Sequence, residues 1–111
     1  MFVALGSITV PTPGTPVQVT SGLTNPTAYK LCHGIMIEAL PANVGKIYIG
    51  LAGLVKGTYV GVLAVLPAPT ANSYPSWSAS IGYAPNAIEA TQVYIDADSA
   101  GDGAIISLVT A

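Results

Sequence analysis

Three carboxylates stand within seven residues near the C-terminus, in Asp96-Ala-Asp98-Ser-Ala-Gly101-Asp102-Gly103. A calcium loop needs oxygen ligands at alternate positions and a glycine where the chain turns sharply. Asp96 and Asp98 fit the first and third positions, and Gly101 fits the sixth. Ala100 fails at the fifth, and Ser107 stands at the twelfth, where a bidentate glutamate belongs. The segment reads better as a hairpin turn whose acids keep a strand end solvated, with Asp102–Gly103 as the turning pair. Asp96, Asp98 and Asp102 remain the metal candidates, for weak cation binding.

Cys32 and His33 are the single cysteine and the single histidine, and they are neighbours. A nucleophile and its base must hydrogen-bond to one another. Consecutive strand residues point to opposite faces, so this pair does not. No second histidine exists to complete a metal site. Cys32 reads as a buried thiol, and no disulfide can form within the chain. Glu38 and Glu89 are remote in sequence, and nothing places them together as an acid/base pair. No catalytic residue emerges, and no cofactor is implied. Tyr74, Trp77 and Tyr83 are the remaining candidates, as a stacking platform for sugar. No polar cluster surrounds them to grip hydroxyls, so packing, on the domain or on a neighbouring subunit, is the better reading.

The elements that must position these residues are short. With 111 residues there is room for one domain. Only 7% of residues are charged, against about 25% in ordinary globular chains, and there is no arginine. Lys30, Lys46 and Lys56 are too few and too scattered to neutralise a phosphate backbone, which excludes nucleic acid as a partner. Met1 to Gly6 has neither the basic start nor the apolar length of a signal peptide. Ile47 to Leu66 is apolar over 20 residues, but Lys56 and four glycines interrupt it. A central lysine costs about 2.5–3.5 kcal/mol in a bilayer, so this stretch reads as two strands and no membrane association is expected.

Prolines and glycines divide the chain into short apolar runs, the pattern of an all-β domain. Val3–Val10 forms a first strand, followed by a proline-rich arm over residues 11–16 and a short strand at Val17–Ser21. Cys32–Leu40 alternates, with Ile35, Ile37 and Ala39 on one face and Gly34, Met36 and Glu38 on the other. Lys46–Leu51 follows closely, and the two runs are expected to form a hairpin. Thr58–Leu66 is continuously apolar, as in a strand covered on both faces. Residues 67–80 read as a loop excursion, Thr91–Ala97 as a strand, and Ala104–Thr110 as the last strand. Lys46-Ile-Tyr-Ile-Gly50 and Gln92-Val-Tyr-Ile-Asp96 echo each other, which fits two similar strands of one sandwich better than a duplicated module. The fold class is therefore all-β: one sandwich, jelly-roll-like, of about seven or eight short antiparallel strands over residues 1–111.

Two blocks carry a resemblance. Val93-Tyr-Ile-Asp-Ala-Asp-Ser-Ala-Gly-Asp-Gly103, followed by an apolar strand, resembles the ending of many small tailed-phage proteins. Ala39-Leu-Pro-Ala-Asn-Val-Gly-Lys-Ile-Tyr-Ile-Gly50 is similar to an earlier block of the same proteins, and Gly6-Ser-Ile-Thr-Val10 fits less specifically. The two blocks cover about a fifth of the chain. The resemblance implies a β-sandwich virion protein of the capsid-decoration (cement) type, made in the host cytoplasm and carried on the outer capsid surface. Its partners would be the major capsid protein and further copies of itself, a trimer being the expected oligomer. Between Leu51 and Glu89 the chain departs from that pattern, so no contact residues are carried over. Independently, a surface so poor in charge fits an interface better than a monomer in water. The interface candidates are Pro11, Pro13 and Pro16 of the arm, with Tyr74 and Trp77. The alternatives are a tail or fibre carbohydrate-binding module and a connector subunit.

Overall fold

The computed structural model describes residues 2–21, 31–80 and 88–110. Ten strands follow one another: β1 (Phe2–Thr9), β2 (Val17–Gln18), β3 (Leu31–Cys32), β4 (Gly34–Ala39), β5 (Ile47–Val55), β6 (Val60–Leu66), β7 (Ser76–Ser80), β8 (Ile88–Glu89), β9 (Tyr94–Ala97) and β10 (Gly103–Val109). A single 3-10 turn at Ala90–Gln92 is the one helical element among the described residues.

The pairing has a simple rule. β5 pairs with β6, β4 with β7, β3 with β8, β2 with β9 and β1 with β10, all antiparallel. The chain thus runs out to the β5–β6 hairpin and returns along itself as a double-stranded ribbon. Two further pairings, β10 with β4 and β5 with β9, roll that ribbon into two sheets, ordered β1-β10-β4-β7 and β2-β9-β5-β6. Eight strands in two four-stranded sheets with this nesting form a jelly-roll sandwich.

Period-two alternation places the core between the sheets. Ile35, Ile37 and Ala39 point inward from β4, meeting Ile106, Leu108 and Ala104 of β10, and they face Ile47, Ile49 and Ile95 of the other sheet. Each isoleucine or leucine among them contributes roughly 1.5–3 kcal/mol by leaving water. The two echoing segments prove to be neighbours, with Ile49 opposite Ile95 in the β5–β9 ladder.

Five expectations need correction. Cys32–Leu40 and Lys46–Leu51 do not form a hairpin: β4 and β5 lie in different sheets, and residues 40–46 cross between them. Likewise β9 and β10 lie in different sheets, so residues 98–102 form a second crossing rather than a hairpin turn. The proline-rich segment is a third crossing, from β1 to β2, and not an extended arm. Val10 N–H donates to the Asp102 carbonyl, Gly101 N–H to the Val10 carbonyl, and Gly14 N–H to Asp96 Oδ1, which straps the segment down. The 67–80 excursion ends in a strand, because Ser76–Ser80 pairs with β4 and turns Trp77 and Ala79 toward the core. Thr58–Leu66 is not covered on both faces, since Val60, Leu63 and Val65 of β6 are exposed. It is an edge strand.

The β5–β6 hairpin bends back over its own sheet. A register break separates Gly50 from Val55. A Cβ on Gly50 would lie 2.3 Å from the Gly61 carbonyl oxygen and 3.1 Å from Leu54 Cβ, so only glycine allows so close a bend. The returning tip lays the Tyr59 ring 6.4 Å from that of Tyr48 and brings Lys56 to the crossing end. Tyr59 holds the left-handed conformation, φ 61°, that this turn demands. The tip accounts for the burial of Tyr48, whose neighbours Ile47 and Ile49 face the core.

Candidate functional site

The three carboxylates sit together in sequence and apart in use. Asp96 is buried and its Oδ1 accepts the N–H groups of Gly14 (3.0 Å) and Ala97 (2.8 Å). Asp98 is exposed at the crossing, where Oδ2 accepts the Tyr48 hydroxyl at 3.2 Å and Oδ1 meets Lys56 Nζ at 3.3 Å. Asp102 is buried, and it accepts the N–H groups of Val44 and Gly45 at 2.8–3.1 Å. Each carboxylate is turned to a different loop. Among the described residues no three His, Cys, Asp or Glu side chains gather to hold a metal ion, so the weak cation site is corrected to three separate loop anchors.

Asn43 completes this end of the molecule. Its amide nitrogen donates to the Gly103 carbonyl at 2.7 Å, and Gly103 N–H donates to its Oδ1 at 2.9 Å. Asn43 thereby imitates a strand neighbour for Gly103 across two loops. Leu40 N–H also donates to the Gly103 carbonyl, and Asp98 N–H to the Lys46 carbonyl. Gly103 cannot carry a side chain, because a Cβ would stand 2.0 Å from the Ile8 carbonyl oxygen. Asn43, Asp96 and Asp102 of the two resembling blocks are thus engaged in holding the crossings between the sheets. Buried polar groups must be paired in this way, since an unpaired one costs about 1–3 kcal/mol.

The other candidate residues lie elsewhere in the fold. Cys32 is fully buried at the end of β3, while His33 is half-buried at the bend between β3 and β4, so the single strand expected across the pair is interrupted there. Burial pushes the Cys32 thiol up, outweighing the opposite effect of a hydrogen bond with the Gly34 backbone. A protonated buried thiol is a poor nucleophile. Tyr48 is also pushed up, first by burial and then by the adjacent Asp98 carboxylate. Among the proposed aromatics, Tyr74 is exposed, Trp77 packs against the core, and Tyr83 lies outside the described residues. Tyr74 and Trp77 therefore offer no shared open platform. Of the three prolines, Pro11 is exposed, while Pro13 and Pro16 are half-buried in the crossing.

The surface carries what the sequence reading missed. Phe2 is 86% exposed, and together with Met36 and Val109 it walls a shallow apolar depression of about 220 Å³ on the β1-β10-β4-β7 sheet. Gly34, Ser78 and Ser107 keep it open. A second apolar area runs along the β5–β6 hairpin, where Leu51, Val55, Tyr59, Val60, Leu63 and Val65 are exposed. The alternation of β4 already pointed Met36 away from the core. Nothing comparable marked Leu63 or Val65, because an uninterrupted apolar run has no polar phase to show which side is wet.

Comparison with protein-family models, with curated proteins and with solved structures finds no match. No helix among the described residues is long and apolar enough to cross a membrane, and Ile47–Leu66 forms the β5–β6 hairpin.

Proposed function

We propose that this chain is a structural, non-enzymatic subunit of a phage-type virion, a capsid-decoration protein that bridges major capsid subunits and also meets copies of itself. The observation that carries the reading is its surface: two apolar areas stand open on a molecule with eight charged side chains in 111 residues. Contiguous exposed apolar surface in a folded domain marks an interaction site. The resembling blocks support the virion assignment, and the jelly-roll sandwich is an architecture that capsid proteins use. Bridging acts through area, since apolar burial contributes about 25 cal/mol per Å² before association costs. Several modest footprints on one lattice then reinforce one another through effective concentration.

The test is direct. Purified chain is added to phage heads that lack it, assembled from the major capsid protein of the same source. Co-sedimentation in stoichiometric amounts and a raised temperature of head disruption are the expected results. Heads that neither bind the chain nor gain heat resistance would remove the decoration reading.

A further inference from the structure

The ladders of the β1-β10-β4-β7 sheet lay out its outer face in rows. Phe2, Val109, Gly34 and Ser80 stand side by side across the four strands, and Ala4, Ser107, Met36 and Ser78 make the next row. Alternation turns them away from the core, because their strand neighbours Val3, Leu108, Ile35 and Ala79 pack into it. The first row begins with two large residues and ends with two small ones. In the second, Met36 is the large residue and Ser107 stands beside it. The apolar depression of about 220 Å³ is lined by Gly34, Ser78, Ser80 and Ser107. Phe2, the most exposed large apolar side chain among the described residues, projects from its rim.

We infer that this face packs on the same face of a second copy of the chain, about a two-fold axis running roughly along the strands between β10 and β4. Such an axis exchanges β1 with β7 and β10 with β4. It sets Phe2 over Ser80 of the second copy, Val109 over Gly34 and Met36 over Ser107, so each large side chain meets a small one. A two-fold contact demands this self-complementarity, in which one position meets another and the reverse also holds. Aligned sheets about 10 Å apart are an ordinary way for two such faces to pack.

The occupant follows from two needs that one molecule leaves open. The depression has no large apolar group to fill it, and Phe2 has no cover. A second copy supplies both at once. Charge agrees with size. Glu38 is the one charged residue on these four strands, beside Ile105 in the third row. The axis sets it against Ile105 of the second copy, and not against another Glu38. Four strands about 4.8 Å apart, paired over five to seven residues, present a face of about 19 by 20 Å. Two such faces hide roughly 800 Å² in plane, and more with side-chain relief, which is the low end for a specific contact. The pair should therefore separate on dilution. It is a dimer, in place of the trimer that the phage resemblance implies, and it stands whether or not a capsid is the partner.

Light scattering of the full chain between about 10 μM and 1 mM reads the result. The expected mass rises from 11.2 kDa toward twice that value. Phe2→Ala removes the projecting ring, and Ser80→Phe fills the recess that receives it. Each should raise the midpoint concentration, Phe2→Ala by about a hundredfold, since two rings per dimer lose their cover. Combining both substitutions moves the ring from β1 to β7, where the same axis sets it over the vacated position 2, so the double variant should dimerise as the parent does. In a mixed isotope-labelled sample of the parent, the Phe2 ring should show an Overhauser contact with Ser80 of the other copy; within one copy the two strands lie about 14 Å apart. A parent that stays monomeric throughout, or forms a trimer, overturns the inference. So does a dimer indifferent to Phe2→Ala, or a double variant no better than either single one. If a variant fails to fold, absence of the Phe2–Ser80 contact in the parent overturns it instead.

Discussion

Replacing Asn43 by alanine tests whether the two crossings are held by a side chain or by the main chain alone. Asn43 makes two hydrogen bonds to Gly103, at 2.7 and 2.9 Å, and both are buried. Each contributes about 1 kcal/mol net. The loss is not symmetrical. The Gly103 carbonyl keeps the Leu40 N–H at 3.1 Å, whereas the Gly103 N–H loses the acceptor it has. A buried orphaned donor adds about 1–3 kcal/mol, so Asn43→Ala should cost about 3 kcal/mol in total. That is a large share of the roughly 5–15 kcal/mol that holds a domain together, and it should lower Tm by roughly 10–20 °C. Urea titration followed by tryptophan fluorescence measures it, with Trp77 as the single reporter. Asn72→Ala, in the exposed turn at 70–73, is the matched control and should stay within about 0.5 kcal/mol. If Asn43→Ala unfolds within about 0.5 kcal/mol of the parent, water or the main chain replaces the amide, and the proposed clamp is refuted.

Two further predictions follow from close approach and from proton linkage. Gly103→Ala should prevent the β1–β10 ladder from closing, since its Cβ would meet Ile8 backbone at 2.0 Å. A loss above about 4 kcal/mol, or no soluble protein, is expected in urea titration. Val10 N–H and Asp102, next to that contact, supply the local exchange readout. Stability should also fall on the alkaline side. Cys32 and Tyr48 both ionise at higher pH in the folded state than their ordinary values of 9.0 and 10.0. Above those values the unfolded chain has released protons that the folded one still holds, so unfolding gains with pH. Their contribution is complete below pH 9.0 and is lost as pH rises through the folded values. Cys32→Ala should flatten the first part of that decline; an unchanged slope between pH 8 and 10 would refute the assignment to the thiol.

Much of the strand content was legible because burial on one face forces a period of two. Ile35, Ile37 and Ala39 reveal β4 by themselves, and Ile47 and Ile49 reveal the start of β5. Even β7 carries the alternation, Trp77 and Ala79 inward with serines outward, but serine is ambiguous between a wet strand face and a loop. The candidate site was less legible. Asp96, Asp98 and Asp102 were visible as a cluster of acids, yet their division of labour depends on Gly14, Tyr48 and Val44, which sequence distance conceals.

Alternation, proline and glycine punctuation, and scarcity of charge determined an all-β domain with a surface poor in charge. These are local or compositional properties, and each residue contributes to them without knowing its partner. Pairing is different. Which strand lies beside β4 depends on closing loops dozens of residues long, and the winning arrangement is decided by the collective burial of both sheets. Hence β4 and β5, adjacent in sequence, part to opposite sheets, while β1 and β10 meet from the two ends of the chain. The same tertiary choice leaves β6 at an edge, where an apolar run suited to a core meets solvent instead.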